Sequence, residues 1–459
     1  MKKRTSLFLA ILLLFSVFFT SNTVYAASYD FSSYSDMGTI VCELNSGDVI
    51  MQNNPDTRYY PGSITKLLTA VTALDYLNLS DEITVTQEML DMVEPNSSVA
   101  DLEAGEKLTV EQLLYALLLP SGNDASKVLA VSAGAIILND STASEKTDYT
   151  AFVSAMNTKA DAIGMTSSNF VNSDGYDDED NYTTPRDLVL LGQAALKIDA
   201  IKTICASNYQ YVETNKAKHY WYSTNLFLYS TFSGLPNYTE NSGDNPYYDS
   251  RISGMKTGYT DIGGRCFLFY GESDGMNLIG VVMNVPPKNG DLLWDRCSAV
   301  VDFAFDNYTV IPMITADNQK FSYRVSNHGF FSSGKLTMAS ADIVNGCVDK
   351  SLVDGIAMTV EPVDTFAVLK SNGKLKLLAN VQKGDTVAYA VFSSGGTTVK
   401  QVALIAQKNC TKAVWYDYVL FIIAGLLVLG VLIRLYNEVR RKKIKRIKRR
   451  NGRKTVKKS

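Results

Sequence analysis

Histidine is scarce in this chain, and its scarcity limits the chemistry that the chain can perform. Two of the 459 residues are histidine, His219 and His328. A Ser-His-Asp mechanism would have to use one of them, yet His219 lies in an aromatic stretch where we expect packing, and His328 lies in a later β-rich region. The acidic run at residues 177–180 lacks a full calcium-loop pattern, which favours a solvated turn. Two distant histidines give no zinc ligand cluster, so no metal and no other cofactor is predicted.

Cysteine is too sparse and too scattered for a disulfide scaffold, and no Cys-x-x-Cys pair occurs. The six cysteines are Cys42, Cys205, Cys266, Cys297, Cys347 and Cys410. Cys347 and Cys410 fall in the same later region of the sequence, so they are the candidate disulfide pair. Export of the chain would permit such a bridge without requiring it.

Charge is unevenly distributed, although the formal net charge is only −3. Residues 434–459 contain 14 lysine or arginine residues and one acid, Glu438. Without this tail and the basic N-terminal segment, the chain has 46 acidic and 27 basic residues. Nucleic acid is therefore excluded as a partner of the main part of the chain, and the tail is better explained by the apolar run beside it.

Long apolar runs lie near the two ends of the sequence. Three basic residues precede the first run, residues 7–19, and a small-residue cleavage site follows it at Ala26. This pattern predicts a signal peptide, residues 1–26, and an exported mature chain.

The second apolar run, residues 414–433, is long enough as a helix to cross about 30 Å of hydrocarbon. Its only charge is Asp417, which lies beside aromatic residues that resemble an interfacial belt. The run predicts a single transmembrane helix in the cell membrane, with the main part of the chain outside. By the positive-inside rule the basic tail, residues 434–459, is cytoplasmic and contacts anionic lipid.

Hydrophobic periodicity divides the exported part into two regions. The first combines helical patterns with hairpin-like strands, which indicates an α/β or α+β domain over residues 27–312. The predicted elements are a β-hairpin at 39–52, helices at 63–77, after Thr109, and at 150–162, 185–196 and 292–305, and strands within 251–285. Short alternating strands with turn signals follow, so residues 313–412 are predicted to form a separate β-rich domain.

The stretch YYPGSITKLLTA places Ser63 after a Pro-Gly turn and one helical turn before Lys66. Residues three apart share a helix face, so the amine of Lys66 can reach the Ser63 hydroxyl. It can act as a base there only if its pKa is lowered by burial or by neighbouring cations. Serine is also a common helix cap, and on this pattern alone that interpretation stays open.

Two further patterns carry candidate site residues. The stretch LLLPSGNDAS places Ser121 and Asn123 in a tight turn between helices, and GMKTGYTDIGGRC places Lys256, Thr257 and Gly258 at the entry to a strand. Each is weak alone, since a helix-capping asparagine and a solvated hairpin edge are the ordinary explanations.

Ser-x-x-Lys, Ser-x-Asn and Lys-Thr-Gly, in this order, are the signature of serine penicillin-binding proteins and class A β-lactamases. The sequence around the motifs, including SNFVNSDGYDDEDNYTTPRDLVLLGQAAL, resembles the low-molecular-mass D-alanyl-D-alanine carboxypeptidases over about residues 30–410. The resemblance implies an α/β fold of the β-lactamase/transpeptidase type, an antiparallel sheet flanked by helices, before the β-rich domain and the transmembrane helix. It implies peptidoglycan stem peptides as substrates and β-lactams as covalent inhibitors.

The chemistry expected of the catalytic candidates starts at Ser63. Its hydroxyl would attack the carbonyl of the penultimate D-alanine and form an acyl-serine, with Lys66 as proton acceptor. Ser121 would relay that proton towards the leaving amine. A charge on nearby Lys256 would keep Lys66 in its neutral form.

The remaining candidates would bind the substrate. Asn123 offers an amide to the stem peptide, and Lys256 with Thr257 suits a substrate carboxylate. Gly258 lets the substrate lie close along the strand. By the resemblance, the backbone N–H groups of Ser63 and Tyr259 would form an oxyanion hole.

The sequence departs from the family pattern in three places. Asn181 stands where many relatives have histidine, the C-terminal segment is a predicted span where many relatives have an amphipathic helix, and Lys288 replaces an arginine that some relatives use for the substrate carboxylate.

Two rival functions follow from the same motifs. A β-lactamase would need an added base, and the Glu-x-x-Leu-Asn pattern that usually supplies it does not occur in the expected region. A non-catalytic β-lactam or wall-fragment receptor would signal through the span, but the short basic tail leaves no room for a signalling domain.

Overall fold

The computed structural model describes residues 28–236, 243–286 and 290–455. The predicted signal peptide and Lys288 lie outside the described residues.

The chain forms two compact units. The N-terminal unit comprises residues 25–311 together with 345–351, and the C-terminal unit comprises residues 312–344 and the chain from 352 onward.

The N-terminal unit is built on an antiparallel sheet in the order β2-β1-β9-β8-β7. Its strands in chain order are β1 (Gly38–Glu43), β2 (Val49–Asn53), β3 (Glu82–Thr84), β4 (Lys107–Thr109), β5 (Tyr209–Glu213), β6 (Lys218–Tyr222), β7 (Ile252–Thr260), β8 (Gly264–Ser273) and β9 (Met276–Val285). The predicted hairpin therefore forms as β1 and β2, and β1 pairs with β9 from the far end of the unit. In this strand order, β7 is an edge strand of the sheet.

Helices surround this sheet, and a short 3-10 turn at Gly62–Ile64 leads into the first α-helix. The helices are α1 (Thr65–Ala73), α2 (Gln87–Asp91), α3 (Val110–Leu118), α4 (Asn123–Leu138), α5 (Glu145–Ala162), α6 (Pro185–Ala195), α7 (Asp199–Cys205) and α8 (Gly290–Asn307). The predicted capping box at Thr109 is present, since Gln112 N donates to Thr109 Oγ1 at 3.2 Å and Thr109 N donates to Gln112 Oε1 at 2.9 Å. The predicted first helix is shorter than expected and ends at Ala73.

The sheet is buried on both faces. Successive side chains of a strand point to opposite sides, so neighbouring residues of one strand pack into different apolar clusters. Ile40 and Leu268 pack into the apolar cluster formed with α1 and α3 to α7. Val41 and Phe267 pack into a second cluster, which is covered by α8. The central strands β8 and β9 are accordingly apolar along most of their length, and every residue of α1 is buried.

The C-terminal unit is the β-rich domain that the sequence predicts, with a sheet in the order β11-β12-β18-β17-β14. The remaining strands of the chain are β10 (Tyr308–Ile314), β11 (Lys320–Arg324), β12 (Lys335–Ala339), β13 (Val344–Asp349), β14 (Ala357–Pro362), β15 (Ala367–Leu369), β16 (Leu375–Leu377), β17 (Thr386–Ser394) and β18 (Thr397–Ala406). A helix, α9 (Trp415–Thr455), follows. Among the described residues, α9 is the helix long and apolar enough to cross a membrane.

The expected pairing of Cys347 with Cys410 is wrong, because all six cysteines are free thiols. The sequence assigned both to one region, but Cys347 belongs to the N-terminal unit, where its sulfur lies 3.8 Å from Met276 Sδ. Cys410 lies in the C-terminal unit with its sulfur 3.5 Å from Ser332 Oγ.

Close packing of α4 on α5 depends on Gly134, because a Cβ there would lie 1.9 Å from the Asp148 carbonyl oxygen. Gly134→Ala should lower the free energy of unfolding by about 1–3 kcal/mol through overpacking. The same change in an uncrowded helix stabilises by about 0.5–1 kcal/mol. Urea unfolding would measure the difference, with Ser132→Ala on the same helix as a control that stays within about 0.5 kcal/mol. An unchanged or higher midpoint for Gly134→Ala would contradict this close contact.

Candidate active site

Ser63 lies in the 3-10 turn that leads into α1, and its hydroxyl does not cap the helix. The N-cap of α1 is Ile64, without a side-chain hydrogen bond. Instead Lys66 Nζ donates to Ser63 Oγ at 2.8 Å. Gly62 has a φ of +52°, and a Cβ there would lie 2.9 Å from Tyr259 N, so the turn lies directly against β7.

The amine of Lys66 is buried beneath this turn. The side chain is fully buried, and Nζ also donates to the Asp174 carbonyl oxygen at 2.9 Å. Burial lowers the pKa of Lys66 to about 8, against the opposing effect of the Asp174 carboxylate, and the charge of Lys127 lowers the pKa further. An amine with this pKa is neutral in a useful fraction of molecules near neutral pH.

Lys127 and Asp174 form a buried ion pair beside Lys66 that the motif analysis missed. Lys127 Nζ lies 2.8 Å from Asp174 Oδ2, with side chains 2% and 0% exposed. Burial acts to lower the pKa of Lys127, but the carboxylates of Asp174 and Glu94 raise it above its ordinary value. Lys127 comes directly before the apolar run at residues 128–131, which was a sequence signal for a buried lysine, although its partner could not be identified from it.

The segment around Asp174 is fixed to the helices that carry the site. Thr69 Oγ1 and Ser126 Oγ donate to the Ser173 carbonyl oxygen at 2.5 and 2.8 Å. A Cβ on Gly175, whose φ is +79°, would lie 1.8 Å from the Gly62 carbonyl oxygen. The chain therefore passes too close to the Ser63 turn for any side chain at that position.

Ser121 and Asn123 enter the site from the turn before α4. Ser121 has a φ of +67°, and its buried hydroxyl has no hydrogen-bond partner. Asn123 is the first residue of α4 and not its cap, which is Gly122. Asp124 fixes the turn by accepting hydrogen bonds from the backbone N–H groups of Ala100 and Leu102.

Lys256 lies on the edge strand β7, but it is not the solvated residue of a hairpin edge. It is 1% exposed, and Nζ donates to the Thr257 carbonyl oxygen at 3.1 Å. Burial first, and then the charge of Lys66, lower the pKa of Lys256 to about 7. The expected effect was the reverse, a charge on Lys256 keeping Lys66 neutral, but Lys256 has the lower pKa of the two and loses its proton first.

The next residues of β7 face an open cleft. Thr257 Oγ1 shares a hydrogen bond of 2.5 Å with Thr224 Oγ1. A Cβ on Gly258 would lie 2.5 Å from Cys266 Sγ and 3.3 Å from Ser63 N, so only glycine fits at this position.

The cleft has a volume of about 450 Å³ and lies above the two buried amines. It is lined by the predicted residues Ser63, Ser121, Asn123, Thr257, Gly258 and Tyr259. It is also lined by four residues that the motifs did not predict, Asp174, Thr224, Arg265 and Trp294. A serine, two amines of lowered pKa and an unpartnered serine hydroxyl around one cleft are the parts that acyl transfer requires.

Neither histidine lines this cleft. His219 is buried, with Nε2 2.7 Å from Glu106 Oε1 and its ring stacked on Trp221, as packing predicts. His328 belongs to the C-terminal unit. Within the described ranges, no group of three or more His, Cys, Asp or Glu residues is arranged to hold a metal ion.

The acidic run and the departure at Asn181 form a turn beside the cleft. Asp180 N donates to Asp178 Oδ1 at 2.9 Å, and Asn181 N donates to the Asp178 carbonyl oxygen at 3.1 Å. Asp177 Oδ2 accepts from Asp261 N at 3.0 Å, which connects the run to the end of β7.

Comparison with known proteins supports the interpretation of the motifs. The model of the family Peptidase_S11, described as D-alanyl-D-alanine carboxypeptidase, matches residues 25–287. D-alanyl-D-alanine carboxypeptidase DacF of Bacillus subtilis is 23% identical over 382 residues, which cover 82% of this chain and 85% of the relative. The D-alanyl-D-alanine carboxypeptidase of Streptomyces sp. strain K15 is 31% identical over 267 residues, which cover 56% of this chain and 84% of the relative.

The fold agrees with the solved structure of penicillin binding protein 5 from Haemophilus influenzae. The TM-score is 0.63 at 21% sequence identity, and the match covers 82% of this chain and 97% of that structure. The transpeptidase-like fold with a β-rich second domain is therefore confirmed. The chain belongs to the Peptidase_S11 family of D-alanyl-D-alanine carboxypeptidases, serine hydrolases of peptidoglycan metabolism.

Proposed function

We propose that this chain removes the terminal D-alanine from peptidoglycan stem pentapeptides through an acyl ester on Ser63. The observation that carries the proposal is the 2.8 Å hydrogen bond from Lys66 Nζ to Ser63 Oγ, made by a buried amine with a pKa of about 8. A serine becomes a useful nucleophile when an adjacent base can take its proton.

Acylation begins with attack of Ser63 Oγ on the carbonyl carbon of the penultimate D-alanine, while Lys66 Nζ takes the hydroxyl proton. The tetrahedral intermediate then loses the terminal D-alanine as its C–N bond breaks. The leaving nitrogen needs a proton, which Ser121 passes on from Lys66, because its buried hydroxyl has no competing partner. The positive charge left on Lys66 is disfavoured by burial and by the charge of Lys127, which promotes return of the proton.

Substrate binding falls to the residues of the cleft. The developing oxyanion accepts hydrogen bonds from the backbone N–H groups of Ser63 and Tyr259, on the turn and strand that lie in contact at Gly62 and Gly258. Thr257 and Lys256 attract the terminal carboxylate, and Asn123 donates its amide to the stem peptide.

Deacylation uses water in place of the leaving amine. Water attacks the ester carbonyl, Lys66 takes its proton, and the bond to Ser63 Oγ breaks with return of a proton to the serine. A β-lactam is a covalent inhibitor of the same site, because its ring opens on acylation and the cleaved amide stays attached and blocks the attacking water.

Covalent labelling and product release together test this function. Purified wild type should bind a fluorescent penicillin as a stable adduct and release D-alanine from a stem pentapeptide. Ser63→Ala should lose both by at least about 10³-fold, since no other group replaces the nucleophile. Ser332→Ala, in the Ser-x-x-Lys pattern of the C-terminal unit, is the matched control and should keep both activities.

Three results would contradict the proposal. Labelling of Ser63→Ala at the wild-type rate would remove Ser63 as the acylated residue. Rapid turnover of penicillin without an accumulated adduct would indicate a β-lactamase, and stable labelling without D-alanine release would indicate a receptor.

The Lys127–Asp174 ion pair should set the pH dependence of acylation. Lys66 must be neutral to act, so the rate should rise with pH through the pKa near 8. Lys127→Met leaves the Asp174 carboxylate unpaired, which raises the pKa of Lys66 and should move this rise upward by about one pH unit or more. The unfolding free energy should also fall by about 3–5 kcal/mol, as a buried charge loses its partner.

The double variant Lys127→Met/Asp174→Asn is the control, because it removes both charges and keeps the Asp174 backbone carbonyl that holds Lys66. It should restore the position of the pH profile and most of the stability. A Lys127→Met enzyme that is slower at every pH, with an unshifted profile, would reduce Lys127 to a structural role.

We also propose that α9 crosses the cell membrane through residues 414–433, with the catalytic domain outside and the basic tail inside. The length and apolar composition of α9 support a span, and the basic tail supports this orientation. The signal peptide, residues 1–26, would direct export, and the tail would contact anionic lipid.

Protease protection tests this topology. Protease added to intact protoplasts should digest the penicillin-labelled part of the chain and spare a tag placed after Ser459. Loss of the tag, with cytoplasmic marker proteins intact, would show that the tail is outside.

A further inference from the structure

The loop between β11 and β12, residues 325–334, is fixed to the start of α9. Phe330 N donates to Asp417 Oδ1 at 2.8 Å, while Asp417 Oδ2 accepts from Val414 N at 2.9 Å. Gly329 N donates to the Thr411 carbonyl oxygen at 2.9 Å. Asp417, the only charge in the apolar run, therefore accepts hydrogen bonds from backbone N–H groups of this loop and of the helix start. These hydrogen bonds lower the cost of placing a carboxylate near a bilayer.

The same loop lies alongside the first turns of the helix. The ring centroids of His328 and Phe330 lie 5.6 and 4.9 Å from that of Phe421. Phe421 follows the start of the apolar run at Val414 by about two helical turns, or roughly 10 Å. Any placement of residues 414–433 across the hydrocarbon therefore brings the loop to the level of the outer membrane interface.

At this level the loop presents a largely exposed aromatic side chain. Phe331 is 90% exposed, and its ring touches that of Phe330 at 5.2 Å between centroids. Trp415 and Tyr416 at the helix start are 77% and 53% exposed. Aromatic side chains in a row at this depth are typical of membrane-interface anchors.

We propose that the β11–β12 loop is a second membrane contact of the C-terminal unit, with Phe331 inserted into the outer leaflet beside α9. The inference rests on the proposed span. The partner is the lipid surface, because the loop is joined by direct hydrogen bonds to the helix that lipid must surround. Phe331 and the aromatic residues at the start of α9 then form one continuous interfacial surface.

Photo-cross-linking of the full-length chain tests the contact. A benzoylphenylalanine would replace Phe331, Leu427 in the middle of α9, or Tyr389 on β17, in vesicles of phosphatidylethanolamine and phosphatidylglycerol at 3:1. Leu427 reports the span, and Tyr389 is a control of the same unit that is 40% exposed and lies within the β-sheet. Penicillin labelling of each variant would verify that the chain is folded.

Position 331 should form lipid adducts at least about fivefold more often than position 389, as expected of an interfacial aromatic. Lipid adducts at 427 with none above the control at 331 would overturn the loop contact and leave the span intact. Adducts of position 331 with another protein chain in place of lipid would also overturn it. Absence of lipid adducts at 427 would overturn the span, and the loop contact with it.

Discussion

The hydrogen bond between the Lys66 amine and the Ser63 hydroxyl is the interaction on which the rest of the N-terminal unit depends. In the proposed mechanism it is useful only while the amine stays largely uncharged, and burial away from water is the largest cause that lowers the pKa of this amine. The complete burial of α1 meets that requirement. The Asp174 carbonyl oxygen holds the amine in place, and Lys127 neutralises the carboxylate that would otherwise favour the charged form.

Three backbone segments far apart in sequence meet around Ser63 with almost no side-chain volume between them. Gly62, Gly175 and Gly258 each occupy a position where a Cβ would collide with backbone or sulfur atoms. Because the segments touch directly, the serine, the strand β7 and the Asp174 carbonyl have little freedom to move relative to one another. Such preorganisation lets a site stabilise charge without rearranging during the reaction.

The sequence predicted the parts of the structure that local patterns determine. The hairpin of β1 and β2, the capping box at Thr109 and the helix α8 follow from turn chemistry and periodicity. The pairing of β1 with β9 could not be predicted in this way, because it joins the two ends of the unit.

The residues of the candidate site likewise fall into those that local sequence patterns predict and those that only tertiary packing brings together. Its motif residues were recognisable from spacing and order, and they line one cleft or lie just beneath it. The partner of Lys127 was not recognisable, since Asp174 reaches it only through tertiary packing. The predicted cysteine pair was wrong for a related reason. Cys347 and Cys410 were assigned to one unit because both come late in the sequence, but Cys347 belongs to the N-terminal unit and contacts Met276 there.

The free thiols have a consequence for how the protein folds. Burial raises the pKa of Cys205 and Cys266 to about 12, so neither forms the thiolate that attacks oxidants or other disulfides. Cys266 donates to the Pro61 carbonyl oxygen at 3.2 Å, next to the turn that carries Ser63, where a bulky adduct would displace β7. The native state is thus reached by packing alone, without an oxidative folding catalyst. The same fold should be accessible to this chain in reducing and in oxidising surroundings.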